Sequence, residues 1–111
     1  MPRDYKVYLE DILEATRKTR RYARGMSVEK LAKDAKTLDA VIRNLEVIGE
    51  AVKNVPEEIR SKHSDVDWKK IAGLRDILIH QYFGIDIEII WDIIQNKLPI
   101  LEKKVKQMLA G

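Results

Sequence analysis

Along the middle of the chain, Val28, Leu31, Ala35, Leu38, Val41 or Ile42, Leu45, Ile48 and Val52 recur at threes and fours. That spacing puts them on one side of a helix, and Ser27 before the run supplies a side-chain acceptor for the free N–H groups of its first turn. The pattern predicts a long second helix from Ser27 to about Asn54, the spine of the fold. Ahead of it, a first helix is expected from about Asp4 to Arg24, with Tyr8, Ile12, Ala15, Thr19 and Tyr22 along one stripe and Gly25 as its stop. Pro56 opens a short helical segment through Glu57, Glu58, Ile59 and Arg60, since proline suits a first helical turn. Ser64-Asp65-Val66-Asp67 then offers caps for a fourth helix from about Trp68 to Phe83, which Gly84 ends. Asp86 caps a fifth, whose buried side is marked by Ile87, Ile90, Trp91, Ile94, Leu98, Leu101, Val105 and Met108. Pro99 should kink that helix without ending it, at the loss of one backbone hydrogen bond.

No run of alternating β-branched residues suggests a strand. The expected fold is all-α, an up-and-down antiparallel bundle of four long helices plus a short one, in a single domain over residues 1–111.

A composition of 45% hydrophobic and 35% charged residues suits helices that pack one face and solvate the other. No apolar run approaches the ~20 residues of a bilayer span, and Met1-Pro2-Arg3-Asp4 has no hydrophobic signal core, so no membrane is expected and the cytoplasm is the default location. The absence of cysteine rules out disulfides, thiolate catalysis and the usual structural zinc sites. Net charge is only +3, yet Arg17, Lys18, Arg20, Arg21 and Arg24 fall within eight residues that contain no acid. Such a cluster has two readings: a solvated helix end favoured by the helix dipole, or a patch that attracts a polyanion. By itself it does not identify nucleic acid.

Trp68, Ile71, Arg75, Leu78 and Tyr82 form one helical stripe with a guanidinium at its centre. Burying a charge is costly unless it is paired, so Arg75 implies either a carboxylate partner, for which Glu50 on the spine is the candidate, or an anion from outside. His80 follows Asp76 by four residues, so that the carboxylate can orient the ring and favour its protonated form, as general acid–base chemistry near neutral pH wants. His63, beside Ser61 and Ser64, reads as exposed and idle. Two histidines seventeen residues apart make no transition-metal site, five scattered glycines build no phosphate-cradling loop, and no serine sits in a nucleophile elbow. Arg75 and His80, five positions apart, are separated by about 140° and ~7.5 Å on a regular helix. Either the helix distorts near Phe83 or, as we prefer, groups from two chains combine across a two-fold interface.

The stretch Arg75-x4-His80-x-Tyr82, preceded by Trp68-Lys69-Lys70-Ile71-Ala72-Gly73-Leu74, resembles the signature helix of the HepT-like branch of the HEPN superfamily. The resemblance extends to Arg43-Asn44-Leu45-Glu46-Val47-Ile48-Gly49-Glu50-Ala51 and to the Ile85-Asp86 to Trp91 and Leu98-Pro99 regions, nearly the whole chain. It implies a homodimeric helical bundle acting as the toxin of a toxin–antitoxin pair, a ribonuclease needing neither metal nor cofactor. Arg75 and His80 would take the catalytic positions in a dimer cleft. Asp76 stands where asparagine is the more familiar occupant, and the matched spine segment includes Glu50, the candidate partner of Arg75. Tyr82 matches the tyrosine to which a partner nucleotidyltransferase (MNT-type) antitoxin transfers AMP. Two rival readings carry different expectations. A non-catalytic module bound to a nucleotidyltransferase would use Arg75 as an anion anchor, and a purely structural bundle would pair Arg75 with Glu50.

Overall fold

The computed structural model describes residues 4–74, 76, 78 and 86–111, and among them every regular element is helical. Helix α1 spans Tyr5–Ala23, α2 Val28–Lys33, α3 Ala35–Lys53, α4 Glu57–Ser61 and α5 Trp68–Ala72. Leu74, Asp76 and Leu78 are again helical. Helix α6 covers Ile87–Asp92, a π-helical turn covers Ile93–Lys97, and α7 covers Leu98–Ala110.

The ends of these helices are fixed by short polar side chains that accept otherwise unpaired backbone N–H groups. Asp4 accepts from Lys6 at 3.0 Å, Ser27 from Lys30 at 3.2 Å, Asp67 from Lys70 at 3.3 Å and Asp86 from Glu88 at 2.9 Å. Gly25 follows α1 with φ of +77°, a conformation open to glycine because it has no Cβ to clash.

The expected long second helix is in fact two. Asp34 leaves the helical region (φ −101°, ψ 85°) between α2 and α3, and its carboxylate accepts both the Thr37 amide at 3.0 Å and the Thr37 hydroxyl at 2.8 Å. The local bonds of an aspartate compete with continuation of the helix, although the apolar spacing runs through the break unaltered. Those two bonds, the backbone one foremost, hold the Asp34 carboxyl below the usual carboxylate range, against a smaller effect of burial.

Helix α1 packs on α3 and α7, and α3 in turn packs on α5. Leu9 and Ile12 of α1 meet Val41, Leu45, Ile48 and Val52 of α3, and Leu98, Leu101 and Val105 of α7, in one core. Each fully buried aliphatic side chain there contributes roughly 1.5–3 kcal/mol. The buried stripe of α1 is Leu9, Ile12, Ala15, Thr16, Thr19 and Ala23, which replaces the expected Tyr8 and Tyr22 with Leu9 and Ala23. Tyr22 is 37% exposed. Pro99 does not end the helical run, as expected, and the wider π turn before it accommodates a ring that would press on the carbonyl of residue 95 in a regular α-helix.

Candidate functional site

Trp68 anchors α5. Its ring is buried and its indole N–H donates to the His63 carbonyl at 2.9 Å, so His63, expected to be idle, is half-buried and holds the tryptophan through its backbone. Asp67 caps the helix as expected, whereas Asp65 reaches Lys104 of α7 at 2.8 Å. That hydrogen bond holds the Asp65 carboxyl below the usual carboxylate range, outweighing its desolvation.

From Ile71 of α5, the buried stripe continues through Leu74 and Leu78 at spacings of three and four. Leu74 belongs to it although the stripe read from the sequence passes through position 75. Asp76 lies two residues from each leucine, about 200° round the helix, and is exposed. Its Oδ1 lies 4.0 Å from Nζ of Lys53, in the last turn of α3. Glu50, one turn earlier on α3, is also exposed, between the buried Gly49 and Ala51, and its carbonyl accepts from the Asn54 amide at 3.0 Å. Arg75, His80 and Tyr82, the expected catalytic pair and AMP acceptor, lie outside the described residues, and so do the expected Glu50–Arg75 and Asp76–His80 pairings. The described part of the stretch therefore has one face sealed into the core and a carboxylate on the other.

A second polar feature lies elsewhere. Arg17, Arg20, Arg21 and Arg24 form one wall of a groove of about 580 Å³, with Trp91, Gln95 and Glu102 opposite. Glu102 accepts Arg20 in a close ion pair and lies 3.7 Å from Nε of Arg17. Lys18, the remaining member of the cluster, turns to Glu14 at 3.1 Å. Trp91 was expected on the buried side of its helix and is half-buried at the groove, while Gln95 and Glu102 drew no notice in the sequence. Glu102 adjoins the apolar Leu98, Leu101, Val105 stripe, and nothing in its neighbours announces two arginines from α1. Among the described residues, no three His, Cys, Asp or Glu side chains are grouped to hold a metal ion, and no helix is long and apolar enough to cross a membrane.

A family profile described as "Ribonuclease HepT-like" matches residues 12–108. A protein named "Putative RNase" from Caldanaerobacter subterraneus subsp. tengcongensis is 51% identical over 102 residues, 92% of this chain and 91% of that one. Another "Putative RNase", from Methanocaldococcus jannaschii, is 49% identical over 110 residues, 98% of this chain and 91% of its own. The "Probable ribonuclease HepT" of Thermococcus cleftensis is 41% identical over 108 residues, covering 97% and 98% of the two chains. No solved structure matches the chain.

Proposed function

Because the chain belongs to the HepT-like ribonuclease family, we propose that it is the RNA-cleaving toxin of a HEPN/MNT toxin–antitoxin pair. The observation that carries this reading is a family match over nearly the whole chain together with the Arg75-x4-His80-x-Tyr82 sequence. In the proposed reaction the ribose 2′-hydroxyl attacks the adjacent phosphorus and the 5′-oxygen of the next nucleotide leaves. His80 takes the proton from the nucleophile or returns one to the leaving oxygen, and Arg75 neutralises charge building on the phosphoryl oxygens. The products are a 2′,3′-cyclic phosphate and a free 5′-hydroxyl. None of these steps calls for a metal ion.

A guanidinium and an imidazole five residues apart on one helix diverge, so the working cleft is assigned to a homodimer in which two signature helices meet. The burial of Ile71, Leu74 and Leu78 supports this, since it commits one face of the stretch to its own bundle and leaves the Asp76 side for a partner and substrate. Asp76 and Glu50 are supporting residues. Tyr82 is the proposed acceptor of AMP from the nucleotidyltransferase antitoxin, a modification that adds phosphate charge and bulk beside the catalytic pair and excludes RNA. The proposed site of action is the cytoplasm.

Incubating the purified protein with single-stranded RNA tests the assignment. Replacing His80 or Arg75 by alanine should slow cleavage about 10²–10⁴-fold, the usual worth of acid–base or oxyanion groups. Equal cleavage by His80→Ala would overturn the catalytic assignment. No cleavage by the native chain, with tight nucleotidyltransferase binding, would favour the non-catalytic module instead.

A further inference from the structure

Four arginines and one carboxylate line the groove between α1 and the α6–α7 junction, a net charge of +3 on its own lining, and Arg17 and Arg21 also border a hollow shared with Glu10 and Glu14. Glu102, its side chain only 13% exposed, is committed to Arg17 and Arg20. Arg21 and Arg24 have no carboxylate within 4 Å among the described residues, and both are exposed. Arg21 is nonetheless not loose, because its guanidinium lies over the Tyr22 ring at 5.7 Å. Here positions 17, 20, 21 and 24 share one face, and the acid that meets them comes from α7, so the arrangement is tertiary.

The opposite wall supplies different chemistry. Trp91 brings a half-buried indole to the lining, and the π turn that precedes Pro99 carries the exposed Gln95 amide. Arginines able to grip phosphate, an aromatic face for a base and an amide for a base edge are together what single-stranded nucleic acid needs.

We propose that this groove binds the backbone of single-stranded RNA, with Arg21 and Arg24 gripping phosphates, Trp91 stacking on a base, and Glu102 fixing the other two arginines in place. The ribonuclease reading enters only to choose RNA among polyanions.

Binding of a fluorescently labelled single-stranded oligoribonucleotide should be measured by anisotropy over a salt series, in the His80→Ala background so that substrate persists. The double change Arg21→Gln, Arg24→Gln lies on the surface and should leave the circular dichroism spectrum intact. It should weaken binding roughly 10- to 30-fold at ~0.1 M salt and make the logarithmic salt dependence shallower by about 1.4, the worth of two phosphate contacts on a single strand. Trp91→Leu should weaken binding with no change in that slope. Unchanged affinity and slope in the double variant would overturn the groove assignment, even if the native chain cleaves RNA. Binding lost in the variant, with no cleavage by the native chain, would uphold the groove and sink the ribonuclease reading.

Discussion

Lys104 of α7 donates to the Asp65 carboxylate at 2.8 Å, tying the last helix to the loop that leads into α5. The contact joins the C-terminal part of the chain to the segment that leads into Trp68. Because the hydrogen bond lowers the folded-state pKa of Asp65, its contribution is fully present above the pKa of the unfolded chain. It is lost as pH falls through the lower folded-state value. Asp34, also lowered, acts with the same sign. Urea unfolding should therefore show stability that declines below about pH 4, the ordinary aspartate range. Asp65→Asn should remove part of that decline, and an unchanged acid limb would show that the pairing contributes nothing.

Thr16 is fully buried in α1 and its hydroxyl has no hydrogen-bond partner among the described residues, whereas Thr19 donates to the Ala15 carbonyl at 2.8 Å. Valine has nearly the same shape without the unsatisfied oxygen. Thr16→Val is expected to stabilise the fold by about 1 kcal/mol. A lower urea midpoint in this variant would mean that the hydroxyl is satisfied in solution.

At Gly25, an added Cβ would meet nothing within 4 Å, so a substitution there is opposed by backbone conformation alone. Gly25→Ala should cost about 1 kcal/mol, and Gly25→Asn less, because asparagine tolerates the left-handed region. Equal melting temperatures for the native and alanine proteins would count against the positive φ.

Much of this architecture is written locally. The caps Asp4, Ser27, Asp67 and Asp86 and the apolar spacing of α3 and α7 are matters of near neighbours, and a 3.6-residue period with a capping side chain is information carried within a few turns. The same kind of signal misleads at Asp34. There the stripe continues from Leu31 to Leu38 while the aspartate spends its oxygens on Thr37 and divides the helix.

The signature residues, too, were legible as a sequence, since Arg75, His80 and Tyr82 are recognised by type and spacing. What only the tertiary structure decided are the meetings of distant residues: Lys104 with Asp65, Lys53 with Asp76, and Glu102 with Arg20, 82 positions away. Such pairs depend on how packed helices bring their polar flanks together. Composition and period determine which face of a helix is buried, and packing against the other helices selects which charges meet along its edges.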